Sequence, residues 1–150
     1  MAEGIRIRRL KIMSATKITI ESAISADVRK VWNFWSQPEH IVNWNFASDD
    51  WCCPKAENDL RTGGKFKYRM EAKDGSFGFD FEGTYDDVVE LKRIAYTMPD
   101  GRKVVTTFED LSGKTKVMTV FDADATNPIE MQKQGWQSIL NNFRKYVESK

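Results

Sequence analysis

The segment Trp32 to Pro54, WNFWSQPEHIVNWNFASDDWCCP, concentrates the groups best suited to chemistry. It holds the single histidine, His40, and both cysteines, Cys52 and Cys53. It also holds four of the five tryptophans, Trp32, Trp35, Trp44 and Trp51. A thiol beside an imidazole is a nucleophilic pair, and both groups are zinc ligands. Neither use suits this pattern. A zinc site would need carboxylates for most of its ligands. His40 falls on the polar side of a short helix and is expected in water. No basic partner stands beside the cysteines in sequence, so they are expected to be ordinary thiols. Being adjacent, they cannot staple distant parts of the fold, which fits a reducing compartment, the cytoplasm. Gly63-Gly64-Lys65 is not a phosphate loop, because Asp59 stands where that motif needs glycine and Phe66 where it needs Ser or Thr. No catalytic residue, metal ligand or cofactor motif is singled out.

Composition narrows the classes further. With 150 residues, 41% hydrophobic and 30% charged, the chain is of ordinary globular composition and one domain's length. The 23 basic and 22 acidic residues balance to +1, which gives no footprint for nucleic acid or an anionic membrane. Residues 1–14 are basic without an apolar stretch and read as a disordered tail ahead of one domain, 15–150.

The elements that must position these residues follow from periodicity. KITIESAIS alternates, with Ile18, Ile20 and Ile24 on one face of a strand. Ser25 is expected to cap a helix whose stripe is Val28, Val31, Trp32 and Trp35. Pro38 ends it and opens a second short helix, PEHIVNW. A loop with Pro54 and Gly63-Gly64 follows. Then KFKYRMEA, FGFDFEGTY, VVEL, IAYTM, VVTTFE and KTKVMTVFD read as six consecutive strands joined by short turns, Asp74-Gly75 among them. Alternation sets Phe66, Tyr68, Phe79, Phe81, Val117 and Thr119 on one face, with Lys65, Lys67, Asp80 and Glu82 in solvent. The chain ends in a long helix from 128 to 148, with Asn127 as expected cap. Its apolar stripe is Ile129, Trp136, Ile139, Leu140, Phe143 and Val147.

This order implies an α+β fold: a curved antiparallel sheet of about six to seven strands wrapped around a long C-terminal helix, with two short helices after the first strand. The last helix alone is long enough to cover the aromatic sheet face. A curled sheet gripping one helix leaves a cavity where the helix does not fill it, and the tryptophan-rich helices would plug or line its mouth.

Four motifs in this order resemble one family. They are SAISADVRKVWNFWSQPEHIVNW, DLRTGGKFKYRM, the Asp74-Gly75 and Glu82-Gly83 pairs, and QGWQSILNNFRKYVE. The chain resembles the activator of heat-shock protein 90 ATPase homologue (AHSA1-like) family of the START-like, or SRPBCC, helix-grip superfamily, over about residues 15–149. The resemblance implies the helix-grip fold. It implies function less sharply, since the superfamily includes lipid and hormone binders, polyketide cyclases and co-chaperone domains.

Three functions are weighed. The favoured one is binding of a small apolar or amphipathic ligand by Trp32, Trp35, Phe66, Tyr68, Phe79, Phe81, Tyr96, Phe108, Trp136 and Phe143, with tyrosine hydroxyls as polar handles. The second is a protein-interaction module of co-chaperone type. There the domain accompanies a separate N-terminal domain, for which residues 1–14 leave no room. The third is a cyclase- or hydrolase-like enzyme, which needs a titratable group inside the cavity.

Overall fold

The computed structural model describes residues 16–150; the N-terminal tail expected over 1–14 lies outside them. The first strand, β1 (Lys17–Ile24), buries Ile18, Ile20 and Ile24 as its alternation requires. Helix α1 (Val28–Ser36) follows, capped by Asp27, whose carboxylate accepts a hydrogen bond from the Lys30 amide at 3.0 Å. The expected cap, Ser25, is drawn elsewhere: its amide donates to Glu148 at 2.8 Å, tying the start of α1 to the end of the chain. Pro38 opens α2 (Pro38–Ile41), which buries Ile41.

Six strands follow: β2 (Trp51–Asn58), β3 (Lys65–Ala72), β4 (Gly78–Val89), β5 (Arg93–Thr97), β6 (Lys103–Asp110) and β7 (Thr115–Asp122). With β1 they form one antiparallel sheet in the order β1-β7-β6-β5-β4-β3-β2. Two expected strands, FGFDFEGTY and VVEL, are one strand, β4, with a bulge between Tyr85 and Asp87. The segment expected as a loop supplies β2 instead. Pro54 hid it, since proline cannot donate to a ladder. Here it sits on an edge strand within the register shift between Cys52 and Lys55, where that loss is tolerated.

The closing helix, α3 (Ile129–Glu148), begins one residue later than expected, with Pro128 itself at the cap position and no side-chain bond there. Asn127 bonds Asp124 and Thr126. Gln132 fixes the approach to the helix instead, accepting from the Asp124 amide and donating to the Asp124 and Asn127 carbonyls. Leu140, Phe143 and Val147 are buried, but Ile129, expected on the same stripe, is 42% exposed because the first turn overhangs the sheet. The helix rests on the β1–β7 side. Trp136 stacks flat on Phe121 with centroids 3.9 Å apart, and Gln137 donates to the Glu21 carbonyl.

Two glycines test how the sheet meets its contents. Gly83 lies opposite Phe66 in the β3–β4 register, and a Cβ there would fall 2.9 Å from the Phe66 ring and 3.0 Å from the Thr97 carbonyl. Gly83→Ala should destabilise by about 1–3 kcal/mol, read from urea unfolding. Gly135, in mid-helix, faces open space: no atom lies within 4 Å of a built Cβ. Gly135→Ala should stabilise by about 0.5–1 kcal/mol, because only the backbone entropy of glycine changes.

Candidate functional site

Where α3 leaves the sheet uncovered, a cavity of about 210 Å³ remains between the helix and strands β3–β7. Alternation builds most of its wall. Phe66, Tyr68 and Met70 come from β3, Phe79, Phe81 and Tyr85 from β4, Ile94 and Tyr96 from β5, and Val104 and Thr106 from β6. Trp136, Ile139 and Leu140 close it from α3, and Trp35, Trp44 and Asn45 close its end.

Seven of the ten residues expected to contact a ligand lie on this wall: Trp35, Phe66, Tyr68, Phe79, Phe81, Tyr96 and Trp136. The other three pack behind it. Trp32 meets Phe108 edge-on at 5.1 Å, and Phe143 sits between Trp35 and Trp44 at 4.9 and 4.7 Å. They brace the wall without facing the space. Sequence reasoning missed Ile20, Trp44, Asn45, Met70, Tyr85, Ile94, Val104, Thr106, Ile139 and Leu140 as wall residues. Even-odd alternation carried the signal for the strand residues among them. Nothing local marked Asn45.

The tryptophans of the opening segment divide by depth. Trp32 is core and Trp35 and Trp44 are cavity wall. Trp51 lies outside with Phe77 and Phe79, three rings whose centroids are 6.0 to 6.2 Å apart. Phe79 is 42% exposed and Phe77 61%, so Phe79 is the rim of the cavity rather than its interior. Lys65, Lys67, Asp80 and Glu82 face solvent as alternation requires.

Among the described residues the wall bears no Asp, Glu, Lys, Arg or His side chain. Its polar groups are mostly matched to one another. Thr106 and Thr119 share a hydrogen bond of 2.8 Å. The Tyr85 hydroxyl donates to Asn58, whose amide donates to the Ser36 carbonyl at 2.7 Å, linking β4 through β2 to α1. Asn45 points its amide at Met70 Sδ, 3.3 Å away. Trp44 places its indole N–H on the Phe34 carbonyl at 3.0 Å. Among the described residues the Tyr96 hydroxyl makes no hydrogen bond, so a polar handle faces the space. Burial raises all three phenols. Tyr85 is pushed up to about 12, and Tyr68 and Tyr96 are also raised, with neighbouring tyrosines adding to the shift.

The singled-out chemical groups sit elsewhere. His40 is not in open water as expected. Its ring stacks on Phe34 with centroids 3.9 Å apart, and Nδ1 lies 2.8 Å from the Tyr146 hydroxyl, joining α2 to α3. Cys53 is buried and its thiol pKa is raised by desolvation; Cys52 is half-buried, and both are free. Among the described residues no three His, Cys, Asp or Glu side chains converge as metal ligands.

A curled seven-stranded sheet holding one long helix over an apolar cavity defines a helix-grip protein. The family model described as "Activator of Hsp90 ATPase homolog 1-like protein" matches residues 25–148. The chain belongs to this AHSA1-like family. The solution structure of an AHSA1-like protein from Aeromonas hydrophila is 43% identical, with a TM-score of 0.85 over 89% of this chain and 93% of that one. A protein from Cytophaga hutchinsonii is 47% identical, with a TM-score of 0.78 over 89% and 92%. One from Chromobacterium violaceum is 26% identical, with a TM-score of 0.79 over 89% and 98%. No curated protein matches the chain.

The raised phenols set an alkaline limit. Tyr85 binds its proton more tightly folded, at about 12, than at its ordinary value of 10.0. Its contribution is therefore complete below about pH 10 and is lost as pH rises from there through 12. Urea midpoints should fall across that window, and Tyr85→Phe should flatten the fall while costing about 1 kcal/mol at pH 7 through the lost bond to Asn58.

Proposed function

We propose that this protein binds a small apolar or amphipathic molecule in the cavity between the sheet and α3. The observation that carries this reading is an aromatic space of about 210 Å³ whose wall, among the described residues, holds no charged side chain. An apolar cavity of ~150 Å³ takes up benzene, so this space suits a ligand of roughly eight to ten non-hydrogen atoms. The Tyr96 hydroxyl supplies a hydrogen bond that orients the ligand.

Catalysis is less well supported. The ionisable groups on the wall are phenols that burial keeps protonated near neutrality, so they serve as donors rather than bases. A protein-interaction role, which the family's name suggests, has one observation in its favour: the exposed rings of Phe77 and Phe79, packed beside half-buried Trp51. No helix among the described residues is long and apolar enough to cross a membrane. The adjacent free cysteines support a reducing compartment, and we place the protein in the cytoplasm.

Naphthalene is a direct probe of the cavity. It should change tryptophan fluorescence and raise the melting temperature, because a ligand confined to the native state stabilises it. Ile139→Trp, which fills the space from α3, should weaken binding at least tenfold while keeping a cooperative urea transition. Equal binding by that variant would place the probe elsewhere.

A further inference from the structure

The sheet is split beside the cavity. β3 pairs with β4 along Gly78–Thr84, but β5 pairs with β4 only from Thr84 to Val89. Among the described residues the stretch Phe79–Gly83 therefore has no strand partner on its β5 side. There the chain has already left β5 at Thr97 and turns through Met98–Arg102. A depression of about 400 Å³ occupies the gap, with Met98, Pro99 and Arg102 facing the open edge of β4. Phe79, Phe81 and Trp136 line both this depression and the cavity, so these three rings stand between the two spaces.

Resting on the binding function above, we propose that the ligand site continues through this split. Its ligand is then a single-chain amphiphile, with its tail in the cavity and a hydrogen-bonding head that carries no negative charge, such as a hydroxyl, amide or ester, in the depression.

Size requires the first part. The cavity holds roughly eight to ten non-hydrogen atoms by comparison with a ~150 Å³ space that takes benzene, so a longer chain must emerge. It would emerge between side chains, at rings that rotate, rather than through a hydrogen-bonded ladder.

Charge decides the head. Asp80 and Glu82 lie opposite Arg69 and Lys67 in the β3–β4 register, and Arg69 reaches Asp80 at 3.5 Å. Asp100 accepts from Arg102 Nε at 2.8 Å. Asp80, Glu82 and Asp100 nevertheless line the depression beside Arg102, and Arg69 is shared with Glu71 at 2.9 Å, so among the described residues the surface is net acidic and disfavours an anionic head. Hydrogen-bonding groups remain. An open strand edge presents backbone N–H and C=O groups. Among the described residues the terminal nitrogens of Arg102 hold no hydrogen bond.

Titrations of the full chain at pH 8 with 1-decanol, decanoate, decyltrimethylammonium and naphthalene test this, using tryptophan fluorescence and calorimetry. Pro99 is exposed on the rim, so Pro99→Lys and Pro99→Glu place a charge beside the proposed head. Decanol should bind the unmodified protein more tightly than decanoate. Pro99→Lys should strengthen decanoate at least fivefold, and Pro99→Glu should do the same for decyltrimethylammonium. Naphthalene should stay within twofold in both variants.

Four results would overturn the proposal. Decanoate binding the unmodified protein as tightly as decanol would refute a head without negative charge. Ion affinities indifferent to the charge at position 99 would show that the head does not lie in the split. Naphthalene binding without any ten-carbon amphiphile would refute the extended site and leave the cavity intact. No binding by naphthalene or the amphiphiles would overturn both readings.

Discussion

One α-helix cannot cover seven strands. With side chains a helix is ~10–12 Å across, while seven strands spaced ~4.8 Å apart span ~29 Å. The rest of this structure is a response to that mismatch. Helix α3 sits on the β1–β7 side, held by the flat stack of Trp136 on Phe121 and by Glu148 receiving the Ser25 amide. The far side of the sheet, β3 to β5, has no helix above it. Curling brings it inward, and the largest available side chains reach across the remaining gap. Phe81 meets Trp136 edge-on at 6.0 Å, and Phe66 meets Tyr96 at 4.7 Å. What they do not fill is the cavity.

The same mismatch explains the polarity of the site. A space walled mostly by apolar side chains penalises unpaired polar groups placed there. The wall accordingly pairs Thr106 with Thr119 and Tyr85 with Asn58. The tryptophan-rich helices finish the enclosure. Trp35 and Trp44 close the end, braced by Phe143 behind them, and Asn142 donates to the Trp44 carbonyl at 2.9 Å so that the closing loop follows the helix. His40 and Tyr146 fasten α2 to α3 from the outside. The histidine thus serves the architecture of the site rather than its chemistry.

Much of this was legible in the sequence, and the boundary of legibility is physical. Period-two alternation assigned the inner face because each strand residue must point one way or the other. Phe66, Phe81 and Tyr96 were found on those grounds. Alternation does not encode depth, however. Trp32, Phe108 and Phe143 share the inward direction of the wall residues yet lie behind it, since their place is set by where α1 and α3 cross the sheet. The cap at Asp27 went unseen because Ser25 is an equally good local candidate until Glu148, 123 residues away, claims its amide. Strand β2 was hidden by Pro54, a residue that reads as a breaker except at an edge bulge.

The central claim is that the cavity is the binding site. Intermolecular NOEs from naphthalene to assigned side-chain methyl groups test it most directly. The account predicts contacts to Ile20, Ile94, Val104 and Ile139, which surround the space, and none to Val31 or Val147, which are fully buried elsewhere in the core. Contacts confined to surface residues around Trp51 and Phe77 would contradict it.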